Sequence, residues 1–211
     1  MIFRPWLWRS RTLRRQDLLD NPLEQFKAWF NDAKRCLSIE FPEAMALATV
    51  DQQLYPHCRM VLLKEINGSD FIFYTNTLSD KGKQLKENPR AALTFYWEPL
   101  HRQVRIIGRA AEVESERADR YFATRPRLSQ IGAWASKQSC PLRSRAEFDE
   151  RIKHYEKEFA GRKVPRPAHW SGYRVSPERF EFWQMRPGRL HDRFRYTKDA
   201  AGNWQITRIY P

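Results

Sequence analysis

Residues 44–76 read AMALATVDQQLYPHCRMVLLKEINGSDFIFYTN. Apolar residues recur here in short runs with a period near two, which suits half-buried strands better than a helix. The stretch divides into strands at 44–50, 56–66 and 71–76, with turns at 51–54 and at Asn67-Gly68. Asn-Gly between apolar runs supplies the left-handed conformations of a type I′ hairpin turn. Strands joined this tightly run antiparallel, because a parallel pair needs a crossover of a dozen or more residues.

The same reading extends in both directions. Asn21-Pro22 supplies an N-cap and a proline at the first helical position. Leu23, Phe26, Phe30, Ala33 and Leu37 then recur at helical spacing, for a helix to about Cys36. Ser79 caps a short basic helix to Glu87, ended by Asn88-Pro89. Strands are expected at 91–97 and 103–114, with a tight connection at 98–102. A helix over 115–125 stops at Pro126; a helical turn at 128–134 and an amphipathic helix at 145–159 follow. Strands at 172–175, 179–184, 193–196 and 204–209 finish the chain. Meander order with inserted helices predicts a mainly β chain with α elements: a closed or split antiparallel β-barrel with peripheral helices. One domain over 17–211 is expected, preceded by a basic arm at 1–16 that ends before Asp17, the first acid met.

With 41% hydrophobic and 14% aromatic residues among 211, the chain has ample material for a core. No apolar run approaches the roughly 18 residues of a membrane span, and the arm lacks the apolar centre of a secretory signal. The net charge of +13 suits acidic partners, but the cations are interleaved with acids along the chain. That dispersal argues against a nucleic-acid stripe and leaves phosphorylated small molecules. Three widely spaced cysteines, Cys36, Cys58 and Cys140, form neither a disulfide framework nor a zinc knuckle and point to the cytoplasm. The five histidines lack metal-ligand spacing, so no metal is expected. With 8 glycines and no glycine-rich phosphate loop, a nucleotide-like cofactor must be held by side chains and a helix start.

Four constellations carry chemistry. Arg189, His191 and Arg193 alternate, so an extended chain points all three to one face, fit for an anionic planar ligand. Alternation likewise places Arg59, Val61 and Leu63 opposite Met60, Leu62 and Lys64 on an apolar strand with a cation at each end. Tyr74-Thr75-Asn76 followed by Ser79-Asp80-Lys81 joins a strand to a capped helix start, an arrangement that receives anions. Tyr121 and Arg125, four apart on a helix, lie just before Ser129 and can supply three donors to a phosphate. Each set taken alone also reads as ordinary structure: an edge strand, a core strand with charged ends, a cap and a surface pair.

Their joint order is far more specific. RMVLLK (59–64), FYTN (73–76), FYWEPLHRQVRIIG (95–108), YFATRPRLSQIGAWASKQS (121–139), VPRPAHWSGYRV (164–175) and EFWQMRPGRLHDRF (181–194) resemble the pyridoxamine 5′-phosphate oxidase family. The resemblance runs from about residue 17 to 211. It implies a split-barrel FMN-binding fold, a homodimer with active sites at the subunit interface, and oxidation of pyridoxamine or pyridoxine 5′-phosphate by molecular oxygen. Carried over by position, Arg59, Met60, Val61, Leu62, Leu63 and Lys64 match the flavin-binding strand, and Tyr74, Thr75 and Lys81 the ribityl-phosphate contacts. Gln103, Gln138 and Ser139 match polar cofactor contacts, and Trp183 and Arg193 the groups flanking the flavin. Lys64, Tyr121, Arg125 and Ser129 match the clamp on the substrate phosphate, and Arg189, Leu190 and His191 the substrate's reactive end, with Arg189 and His191 the catalytic pair. Another split-barrel flavoprotein oxidoreductase or a non-catalytic B6- or flavin-binding protein are the rival readings. Two departures stand out: Asp80 where the family usually has arginine, and an arm without the family's Arg-x-x-Tyr element.

Overall fold

In the computed structural model, which describes residues 12–211, the chain from Ala44 onward curls into one antiparallel sheet of nine strands. These are β1 (Ala44–Val50), β2 (Pro56–Leu62), β3 (Glu65–Asn67), β4 (Asp70–Asn76), β5 (Arg90–Trp97), β6 (Arg102–Glu112), β7 (Trp170–Gln184), β8 (Asp192–Lys198) and β9 (Trp204–Ile209). They lie in the order β2-β1-β5-β6-β7-β4-β3, with β8 beside β7 and β9 beyond β8. The helices are α1 (Pro22–Arg35), α2 (Asp80–Glu87), α3 (Ser115–Thr124), α4 (Arg127–Ala135) and α5 (Arg145–Glu158). This is the expected split barrel with peripheral helices.

Helix α1 begins where the sequence says it should: the Asn21 side chain accepts from the Leu23 N–H and Pro22 occupies the first turn. Its buried face, Phe26, Trp29 and Phe30, plugs the curled sheet. Phe26 meets Phe71 and Phe95 edge-on at 4.8 and 4.9 Å, and Trp29 meets Phe182 at 5.2 Å. Burying rings of this size contributes roughly 2–3 kcal/mol each and fixes where the sheet closes. A second apolar cluster, Phe122, Ile131, Phe159, Val164 and Trp170, ties α3, α4 and α5 to the start of β7.

Three expectations are corrected. The strand expected over 56–66 breaks at Leu63-Lys64, because the Leu63 N–H donates to Glu43 while the Lys64 N–H donates to Ile72, so the chain changes partner at a barrel corner. The turn expected at 128–134 is a full helix, α4. The two strands expected at 172–175 and 179–184 are one, β7, which pairs with β4 over its first half, β8 over its second and β6 throughout. The alternation breaks because of a bulge: Gly108 faces Pro177 and Ile107 faces Arg179, leaving Glu178 over. Buried positions therefore run Tyr173, Val175, Pro177 before it and Phe180, Phe182, Gln184 after it.

Of the basic arm, residues 1–11 lie outside the described residues. Leu13 is buried, and its N–H donates to Asp192 at 3.1 Å.

Candidate active site

Strands β1, β2 and β4 and the start of α2 build the first corner. Arg59 donates to Thr49, to the Leu47 carbonyl and to Gln84, while Thr49 donates to Gln84 at 2.6 Å. Lys81 Nζ lies 3.2 Å from Thr75 Oγ1, 3.2 Å from Ser79 Oγ and 3.0 Å from Gln138 Oε1. The Asp80 N–H donates to Ser139 Oγ at 3.3 Å. Gln138 and Ser139, distant in sequence, thus close over the helix start; Ser139 turns there with φ of 70°. Among the described residues, neither Arg59 nor Lys81 pairs with a carboxylate. Burial pushes both pKa values down, and for Lys81 the Arg59 charge adds to it, while Asp80 opposes both shifts. Two half-buried cations with only neutral acceptors, beside a capped helix start, fit a dianionic phosphate.

Next to this corner, Tyr74, Tyr121 and Trp170 form a stack. Tyr74 and Tyr121 lie 4.0 Å apart at 14°, and Tyr74 and Trp170 5.3 Å apart at 7°. Close approach requires glycine opposite Tyr74: a Cβ on Gly172 would lie 2.7 Å from the Tyr74 ring. The Arg125 guanidinium sits 4.6 Å over Trp170, and burial pushes its pKa down. Among the described residues, Arg125 Nη1 and Tyr74 Oη are buried without a hydrogen-bond partner. Such atoms are costly in isolation, and their donor chemistry suits an incoming anion. Ser129 is exposed in the first turn of α4. Lys64 is not hydrogen-bonded to this group; it lines a groove of about 530 Å³ with Lys27, Lys34, Glu43 and Glu65.

The remaining expected residues gather at the other end of β7. Gln103, Trp183 and Arg193 are direct cross-strand neighbours on β6, β7 and β8, one rung on the outer face of the barrel. Phe182 and Phe194, adjacent in sequence to Trp183 and Arg193, face the core. Alternation across Arg189, His191 and Arg193 does not hold: residues 187–189 form a 3-10 turn, with Gly188 and Arg189 at φ of 65° and 62°, and β8 starts only at Asp192. Arg189 and Leu190 are exposed on that turn, and Leu190 and His191 line a cavity of about 490 Å³ with Arg208 and Tyr210. His191 packs on Trp183, with ring centroids 4.5 Å apart. Its Nδ1 accepts the Arg186 N–H at 3.1 Å, so the neutral ring carries its proton on Nε2 and offers a donor. Burial first, then Arg189 and Arg193, lowers its pKa.

Within one chain these are two half-sites. Gly172, opposite Tyr74, and Trp183 are eleven residues apart on β7, a contour of roughly 36 Å. Thr49 and Gln84, which orient Arg59, escaped the sequence reading, as did Trp170; no local pattern marks them, since their partners are remote in sequence.

Comparison with known proteins gives both halves a common setting. Residues 32–159 match the family described as pyridoxamine 5′-phosphate oxidase, and residues 170–211 match the pyridoxine 5′-phosphate oxidase C-terminal dimerisation region. A pyridoxine/pyridoxamine 5′-phosphate oxidase of Bordetella petrii is 48% identical over 97% of this chain and 96% of its own length. The chain belongs to the pyridoxamine 5′-phosphate oxidase family. It is an oxidoreductase of that family, and its dimerisation region carries β7–β9 with Trp183, Arg189, His191 and Arg193. Among solved structures, PhzG of Burkholderia lata, in complex with tetrahydrophenazine-1-carboxylic acid, is 28% identical. It covers 100% of this chain and 98% of its own at a TM-score of 0.86. A pyridoxamine 5′-phosphate oxidase-related, FMN binding protein of Nostoc punctiforme, 17% identical, covers 90% of this chain and 98% of its own at 0.71, which speaks to the fold. Among the described residues, no helix is long and apolar enough to cross a membrane.

Proposed function

We propose that the protein is an FMN-dependent oxidase that converts pyridoxamine 5′-phosphate or pyridoxine 5′-phosphate to pyridoxal 5′-phosphate, acting as a homodimer in the cytoplasm. The observation that carries this reading is the pairing of separate anion sites. Among the described residues, Arg59 and Lys81 meet no carboxylate, and Arg125 Nη1 and Tyr74 Oη, at the neighbouring aromatic stack, meet no hydrogen-bond partner. One site suits the cofactor phosphate, the other the substrate phosphate. The half-sites on β4 and β8 meet when the dimerisation region sets two copies together.

FMN, when bound, accepts a hydride from the carbon bearing the amine or alcohol and passes the electron pair to molecular oxygen, giving hydrogen peroxide. Arg59, Thr75, Lys81, Gln138 and Ser139 would hold its phosphate end, with residues 60–64 and Tyr74 along its length. Gln103, Trp183 and Arg193 would hold the ring system from the partner copy. Lys64, Tyr121, Arg125 and Ser129 orient the substrate phosphate. Arg189, Leu190 and His191 enclose the reacting carbon, where His191 Nε2 donates to the substrate heteroatom while Arg186 fixes the ring. The alcohol loses hydride and proton to give the aldehyde directly; the amine gives it after water replaces nitrogen, released as ammonia.

The likeness to PhzG favours a second reading, oxidation of a carboxylated partly reduced ring system in the same fold. Purified protein supplied with FMN and then pyridoxine 5′-phosphate in air should form aldehyde and peroxide together. Retained flavin with no turnover, or turnover of tetrahydrophenazine-1-carboxylic acid in its place, overturns the B6 assignment.

A further inference from the structure

Glu181 is nearly buried on the outer face of the barrel, one residue pair along β7 from Trp183. Arg193 donates to Glu181 Oε1 through both Nε, at 3.1 Å, and Nη2, at 2.7 Å, and its Nη1 donates to the Tyr210 carbonyl at 3.0 Å. The guanidinium is thereby fixed on two edges, while its side chain keeps 24% exposure and springs from the rung that holds Trp183. The second carboxylate oxygen lies 3.8 Å from Arg105 and 3.7 Å from Arg195, the direct cross-strand neighbours of Glu181 on β6 and β8. One carboxylate therefore serves three guanidiniums unequally, with short contacts to Arg193 alone. Arg195 Nε, meanwhile, is buried without a partner. A carboxylate placed only to neutralise the face would be shared evenly; this one is spent on the direction of a single arginine.

We infer that Glu181 is a positioning residue for the cofactor site: it aims the Arg193 guanidinium along the outer face beside Trp183, where the flavin ring system would lie. The inference rests on the flavin-oxidase reading above and adds to it a residue outside the set of expected contacts. Two features of the geometry make it specific. Arg193 and Glu181 are diagonal neighbours, since Trp183 pairs with Arg193 and Glu181 with Arg195, so the contact crosses from one rung to the next. Without that diagonal pull, the flexible arginine stem would spread its head group over many rotamers, and each would have to be frozen again on binding.

The test is a double-mutant cycle on FMN binding, read by flavin fluorescence, with the apoprotein melting temperature followed in parallel. Glu181→Gln should weaken FMN binding about ten-fold. In an Arg193→Ala background the same change should weaken binding by less than about two-fold, because Glu181 acts through Arg193. Glu181→Asp keeps the charge but withdraws the carboxylate by one methylene, and should also weaken binding with little change in melting temperature. It carries the test should Glu181→Gln fold poorly. Equal losses in the two backgrounds, or unchanged affinity in Glu181→Gln or in Glu181→Asp, overturn the inference. Wild-type protein that takes up no FMN would instead strike down the flavin-oxidase reading and this inference with it.

Discussion

The corner at Arg59 and Lys81 and the outer face at Glu181 both concentrate cations, and they treat them in opposite ways. At the corner the two cations hydrogen-bond to Thr49, Gln84, Thr75, Ser79 and Gln138, all neutral. On the outer face Arg105, Arg193 and Arg195 share Glu181, and on the buried side of β8 Arg186 and Arg208 share Asp192. Half-buried cations that meet no carboxylate among the described residues repel each other and lose hydration, so a bound anion would relieve both costs. Cations already neutralised have little charge left to offer a ligand; what they offer is a fixed direction. On the proposed reading the corner would serve affinity and the outer face alignment.

The largest effect should come from removing the buried counter-charge at the start of β8. Asp192 is 4% exposed and accepts from the Leu13 N–H and from Arg208, with Arg186 at 3.7 Å. Asp192→Ala should cost about 3 kcal/mol in urea unfolding of the apoprotein, because it strands the buried Leu13 N–H and removes two guanidinium contacts. At the corner the same kind of change should act on binding instead. Lys81→Met should weaken FMN binding about a hundred-fold, while the apoprotein melting temperature stays level or rises as repulsion with Arg59 is relieved. A clear fall in apoprotein stability would erase the contrast between the regions.

Asp80 sharpens the contrast, since among the described residues its carboxylate raises the pKa of both corner cations. Asp80→Arg should tighten FMN about five-fold at low ionic strength and by less at high salt, because the side chain is exposed. An unchanged dissociation constant would mean that the carboxylate is screened from the phosphate. The smallest effect concerns pH on the aligned side. The folded pKa of His191 is lowered below its ordinary 6.5, so the neutral ring prevails at neutral pH and is lost as pH falls through that lowered value. Protonation at Nδ1 also removes the acceptor for the Arg186 N–H. The kcat/KM profile should therefore show an acid limb below pH 6.5 that disappears in His191→Gln, which keeps a donor but does not titrate.

The barrel was legible because its signals are local: Asn21-Pro22, Ser79 and the Asn67-Gly68 turn each act within a few residues. The gathering of side chains around Lys81 was legible in part, since Thr75, Ser79 and Lys81 are neighbours in sequence, whereas Thr49 and Gln84 reach Arg59 only through the fold. The alternation from Arg189 was misread because an extended chain was assumed from Arg189 onward, whereas that residue has a φ of 62° and ends a 3-10 turn, so the strand begins only at Asp192. Glu181 left a trace: it alternates with Trp183 as Arg193 does with Arg195. Only the pairing of β7 with β8 turns that trace into a contact.

The extra residue at Glu178 sets the parity of everything after it. With it, odd-numbered Glu181 and Trp183 look outward and even-numbered Phe180 and Phe182 look inward. A chain lacking that one residue would keep the same strand and the same composition but exchange the two sides. Aromatic rings would then coat the exterior, and the acid and indole now on the outside would be walled up within.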